Sequence, residues 1–197
     1  AALIDPMENA MLALALALLG SPLQDGPPSE EPPLLDFERL EFNPRAGLVV
    51  FSEDFESDPK FCAGFLARVP LSRLSRSLLG PGEENTLGAT AHVTIASIDR
   101  EFDPEPPEPE GTLLFAGFGL DATILDRDGW LLRPRLEIQY GYYGDVSDLA
   151  DGWALAPAFQ ASVHLSGNIW LSLDAQAAFA DAGDRVLFAQ AGLLVRF

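Results

Sequence analysis

From residue 37 to the end, apolar and polar residues alternate with a period of two, and over the last four segments the alternation hardly breaks. Read backward from the end, Phe197, Val195, Leu193, Ala191, Ala189 and Leu187 share one face, and Arg196, Leu194, Gly192, Gln190 and Phe188 the other. The pattern recurs over 169–179 (Ile169, Leu171, Leu173 against Trp170, Ser172, Asp174, Gln176) and over 153–166 (Trp153, Leu155, Phe159 against Gln160, Ser162, His164). It recurs again over 130–142, where Trp130, Leu132, Leu136, Ile138, Tyr140 and Tyr142 oppose Arg133, Arg135, Glu137 and Gln139. Successive side chains of a strand point to opposite faces, so these are strands with one apolar and one polar face. Four noisier segments precede them, at about 40–51, 60–72, 86–98 and 112–125. Each of the eight has the roughly 9–11 residues that a tilted strand needs to cross a bilayer.

The composition decides which face points where. A soluble barrel buries its apolar face; a membrane barrel turns it outward. The polar face carries mid-strand ions of both signs: Arg45, Arg68, Asp121, Arg133, Arg135, Glu137, Asp174 and Arg196, with Gln160, Gln176, Gln190 and His164 among them. Such a mixture suits a packed, salt-bridged interior. Were that face in water, Lys should be common, yet Lys60 is the sole Lys beside eleven Arg. Aromatic residues gather near strand ends (Phe61, Trp130, Tyr140, Tyr142, Trp153, Phe179, Phe197), where interfacial girdles form. Pro134 and Pro157 on the apolar face weaken the ladder locally. No apolar run is long enough for a transmembrane helix, so a membrane-spanning reading requires a closed barrel. A soluble lipocalin-like ligand carrier is the alternative, and it would need the apolar face inside.

The expected architecture is an all-β, eight-stranded antiparallel transmembrane barrel over 37–197, behind an apolar helix over 1–20 and a Pro-rich acidic linker over 21–36. Asp5, Pro6 and Glu8 supply helix-start chemistry, and Gly20 and Pro22 a stop. The Leu/Ala run of 11–19 also resembles a signal-peptide core, although no basic residue precedes it. Short turns follow the fourth and sixth strands; longer connections follow the first, third, fifth and seventh. Outer-membrane barrels have short periplasmic turns and longer external loops. The connection over 73–85 is long for a periplasmic turn and could form a helical turn. Both termini are then expected in the periplasm.

With its alternating last strand ending in Phe197, the chain resembles the small outer-membrane barrels of the OmpA and OmpX type over about 37–197. The resemblance implies a bacterial outer-membrane location, contact with outer-membrane lipid and lipopolysaccharide, and delivery by the barrel-assembly machinery. Unlike the OmpA pattern, no peptidoglycan-binding domain is expected after the barrel, and the extra element is expected to be N-terminal.

Chemistry is sparse. Net charge is −18, with 30 acids against 12 bases, which excludes the basic footprint of a nucleic-acid binder. One cysteine, Cys62, excludes a disulfide framework and reads as an interior packing residue, as His92 reads as an interior histidine. Fifteen acids fall in the four long loops: Glu53, Asp54, Glu56 and Asp58; Asp99, Glu101, Asp103, Glu105, Glu108 and Glu110; Asp145, Asp148 and Asp151; Asp181 and Asp184. Carboxylate-rich loops suit hard ions such as Ca²⁺, although no EF-hand spacing occurs and a solvated, repulsive surface is the simpler reading. No other cofactor is expected. Arg133-Pro134-Arg135 with Glu137 can be read as an anion site or as an interior ion-pair network, and the network is expected. His164-Leu165-Ser166 resembles the His-x-Ser element of outer-membrane lipid A deacylases, in which a base beside a hydroxyl serves acyl transfer. Both side chains are expected on the inward face beside the sixth turn, where an interior polar pair is the simpler reading. The expectation is a non-enzymatic anchor or adhesion component without a conducting pore. Its N-terminal helix would dock a periplasmic partner, a second copy or its own barrel rim. Lipid A acyl hydrolysis is the enzymatic alternative.

Overall fold

The computed structural model describes residues 32–52, 59–79, 86–98, 111–143, 151–180 and 185–197. The helix expected over 1–20 and residues 21–31 of the linker lie outside them. So do all the acidic loop residues named above except Asp151.

The strands are β1 (Glu41–Ser52), β2 (Lys60–Pro70), β3 (Leu87–Ile98), β4 (Gly111–Ala122), β5 (Leu125–Arg127), β6 (Trp130–Tyr142), β7 (Gly152–Ser166), β8 (Ile169–Ala180) and β9 (Arg185–Arg196). Each pairs antiparallel with its neighbour in the order β4-β3-β2-β1-β9-β8-β7-β6, and β4 pairs with β6 to complete the wall. First and last strands meet from Glu41↔Arg196 to Ser52↔Arg185. Closure leaves no sheet edge, the condition for holding strand backbone in lipid. The three-residue β5 continues β4 past an interruption at 123–124, where Thr123 N donates to Thr86 O (2.8 Å) and Ile124 N to Leu132 O (3.0 Å). The wall therefore has eight staves, and the fourth is a broken strand rather than the continuous 112–125 the alternation suggests.

Leu40 just before β1, Phe197 after β9 and three connections share one end of the barrel, the terminus end. Two of these are two-residue hairpins. Asp128 and Gly129 take φ of 54° and 79°, the positive pair that matches strand twist in a tight turn, and Gly167 takes φ 52° ahead of Asn168. The third is the long connection after β2. It holds α1 (Ser72–Leu79), so the second strand stops at Pro70 rather than 72. Ser75 fastens α1 to the wall, donating to Leu71 O and accepting from Leu87 N, both at 2.8 Å. A 3-10 turn (Phe37–Arg39) leads into β1. At the other end, the loop end, β1, β3, β6 and β8 finish and β2, β4, β7 and β9 begin.

Prolines mark the weak points of the ladder. The β7–β8 register runs from Leu155↔Phe179 directly to Ala158↔Gln176, skipping Pro157. The β1–β9 register skips Pro44 in the same way. Pro134 keeps its place opposite Phe159.

Candidate functional site

The wall is apolar outside and polar inside. Leu48, Phe65, Ile95, Leu114, Leu120, Leu136, Leu155, Leu173 and Leu193 are exposed on the outer face, Leu173 at 59%. Arg45, Arg68, Asp121, Arg133, Arg135, Glu137, Gln160, Asp174 and Gln176 are buried inside, each at 4% exposure or less. Water would reward the reverse arrangement, so the soluble carrier reading is set aside. Among the described residues no helix is long and apolar enough to cross a membrane; the crossing is made by strands.

The lumen is filled in three layers. At the terminus end Glu41 is the hub. Arg133 grips it with both terminal nitrogens (Nη2–Oε1 2.9 Å), Arg196 Nε reaches Oε1 at 3.2 Å, and Arg68 Nη1 at 3.5 Å. Arg68 Nε lies 2.9 and 2.8 Å from the Asp121 oxygens, and Arg133 Nε donates to Thr123 Oγ1 at 3.0 Å. Arg196 is only partly interior: its side chain is 26% exposed, pairs with Asp126 (3.0 Å) and lies over the Trp170 ring.

Asp174 and Glu137 organise the middle layer. Asp174 accepts from Arg45 Nη1 (3.1 Å) and, two-pronged, from Arg135 Nη1 and Nη2 (2.9 and 3.0 Å). Glu137 accepts from Thr90 Oγ1 (3.1 Å) and Gln176 Nε2 (2.9 Å). Arg135 Nε and His92 Nδ1 stand 2.9 and 3.0 Å from it as close contacts rather than aligned hydrogen bonds. Two arginines face two carboxylates here, and Arg68 and Arg133 face Glu41 and Asp121 below. Charge is thus balanced within each layer, which makes burial of so many ions tolerable.

At the loop end the lumen turns apolar. Phe115 is fully buried, edge-on to Phe188 (5.1 Å) and Tyr143 (5.6 Å) and stacked with Phe51 (6.2 Å), in one cluster with Val49, Cys62 and Ala96. Tyr143 N is held in turn by Asp151 Oδ1 at 2.6 Å.

The interfacial aromatics divide. Trp130, Tyr142, Phe179 and Phe197 are exposed, whereas Tyr140 and Trp153 are half-buried against each other at 5.1 Å. His164 keeps the expected inward parity, opposite the buried Trp170, but lies exposed where the barrel opens at the turn. The expected inward placement of Ser166 is wrong: the β7–β8 register shifts between His164 and Ser166, and Ser166 stands opposite Ile169 on the outer face. His164 Nε2 meets Gly167 O at 2.9 Å, and its ring packs on Trp170. An imidazole bound to backbone and indole is not arranged as the base of a serine nucleophile.

Sequence reasoning missed Glu41, although Glu41-Asn43-Arg45 has the inward parity. It also missed the aromatic plug, because Phe115 and Phe188 are apolar residues on the polar parity.

Fold and inside-out polarity together define a transmembrane β-barrel of the outer-membrane type. No family model matches the sequence, and no curated protein matches it. Among solved structures, Ail, the attachment invasion locus protein of Yersinia pestis, crystallised with the heparin analogue sucrose octasulfate, matches at 11% identity and TM-score 0.53, over 81% of this chain and 97% of Ail. Neisserial surface protein A matches at 13% identity and TM-score 0.50, over 80% and 97%. At such identities the likeness establishes the shared fold, that of small eight-stranded outer-membrane barrels.

The outward assignment predicts the sign of one substitution. Leu173→Arg at mid-β8 should cost about 2–4 kcal/mol in a bilayer, since a cation near the midplane of the lipid face is penalised by that much. Denaturant unfolding in liposomes measures it; unchanged stability would contradict a lipid-facing β8.

Proposed function

We propose that this protein is a non-enzymatic anchor of the bacterial outer membrane. Both termini face the periplasm, and the four acidic loops stand outside as an adhesion or protein-contact surface above the lipopolysaccharide layer. The observation that supports this most directly is the filled, charge-balanced lumen. A barrel whose inward side chains are committed to ion pairs and an aromatic plug serves as a scaffold, and its remaining chemistry is displayed at the loops. The fold shared with Ail, an attachment protein by name, agrees with that role.

The charge of the loops argues for a different partner. A sulfated sugar is a polyanion, whereas these loops carry 15 carboxylates on a chain of net charge −18. Cationic surfaces, or divalent ions bridging to lipopolysaccharide phosphates, complement them. The apolar segment 1–20 fits a docking peg for a periplasmic protein or a second copy, and the strand ending in Phe197 fits recognition by the barrel-assembly machinery.

Liposomes carrying the full chain should adhere to polylysine-coated beads and not to heparin-coated beads. Replacing Glu101, Asp103, Glu105 and Glu108 by their amides should reduce adhesion while leaving the heat-sensitive gel mobility of a folded barrel intact. Equal adhesion to both beads would sink the reading. Calcium at millimolar concentration should protect the loops from protease; unaltered cleavage would remove the divalent-ion component.

A further inference from the structure

The outer wall is not uniform. Toward the loop end, β7, β8, β9 and β1 share an apolar groove of about 670 Å³, walled by Leu48, Pro157, Phe159 and Leu187 over small residues that include Ala177 and Ala189. Its β7–β8 side is the place where Pro157 interrupts the register. Two residues above Leu187, on the same face of β9, Arg185 stands exposed at the rim, in register with Ser52 on one side and Phe179 on the other. A strand rises about 3.4 Å per residue, so Arg185 begins roughly 14 Å along the strand from Ala189.

We propose that this groove seats one acyl chain of a phosphate-bearing membrane lipid, whose headgroup is held by Arg185. The inference rests on the barrel being embedded with its apolar face in lipid. Within lipid the hydrophobic effect contributes nothing to such packing, because the competing solvent is also hydrocarbon. Shape has to supply the preference: a chain in a groove touches atoms on three sides, where a chain on a smooth wall touches them on one. The guanidinium supplies the rest, since its planar donors match phosphate oxygens in a two-pronged, charge-assisted contact. The order of chemistry, a cation at the rim with an apolar channel leading inward from it, is the order within a lipid. A second barrel would instead present apolar wall along the whole length.

Native mass spectrometry of the full chain, refolded in detergent and titrated with dimyristoyl phosphatidylglycerol or with phosphate-free dimyristoylglycerol, tests this. The wild-type protein should retain one phosphatidylglycerol about tenfold more strongly than the diacylglycerol, the scale of one hydrogen-bonded charge contact. Arg185→Gln should erase that preference and keep the weaker diacylglycerol binding. Ala189→Phe, which fills the groove from the lipid side, should weaken both, and Ala177→Phe should do the same. No preference in the wild type, or undiminished retention in both Phe variants, would mean a uniform lipid coat and overturn the proposal. The mobility shift on boiling is read for every variant, so failure to form the barrel is seen separately.

Discussion

Asp174→Ala should destabilise the barrel by about 3–5 kcal/mol, the cost of removing one partner from a buried ion pair and leaving the other charge uncompensated. Asp174 is bonded to two arginines, Arg45 and Arg135, from two different strands. Arg135 keeps its contact with Glu137; Arg45 loses the carboxylate it is bonded to. Most of the loss should therefore come from Arg45, and Asp174→Ala combined with Arg45→Met should recover a large part of it. Urea midpoints in bilayers or micelles, with heat-sensitive mobility as the folding check, measure both. A single variant as stable as the parent would show that the middle layer does not depend on this carboxylate.

Phe115→Ala is the second large effect. The ring is wholly buried at the centre of the aromatic plug, so truncation should cost about 3–5 kcal/mol, the range for emptying a packed aromatic site. It should not open a pore. The Asp174/Glu137 and Glu41/Asp121 layers still occupy the lumen beneath it, and liposomes carrying the variant should hold an ion gradient as well as the parent. Leakage in the variant alone would place the whole seal in the plug and assign the ionic layers no blocking role.

Some of this architecture was readable residue by residue. Arg45, Arg68, Arg133, Arg135, Glu137 and Asp174 stand on the polar parity of their strands, and parity is a local property: a one-residue slip would move every one of them to the lipid face. Ser166 shows where that logic fails. It has the same parity as Gln160, Ser162 and His164, but the register shift after His164 breaks the count, and no neighbouring residue signals it. The helix Ser72–Leu79 was foreseen as a helical turn within an overlong connection, but not its bounds, because eight residues make only about two turns and leave the ends unmarked. The break at Thr123 was not foreseen either, since Leu120, Ala122 and Ile124 against Asp121 and Thr123 continue the alternation across it.

The sequence by itself determined the number of staves and the polarity of each face, because both follow from residue types at a spacing of two. Only the tertiary structure decided which charges meet. Glu41 and Arg133 are 92 positions apart, and Arg45 and Asp174 are 129 apart. Their heights in the lumen depend on how far the strands stagger as the sheet closes, a quantity shared by the whole wall and present in no single segment. The aromatic plug and the outer groove have the same origin: they arise where closure brings β4, β6 and β9, or β7, β8, β9 and β1, to a common level.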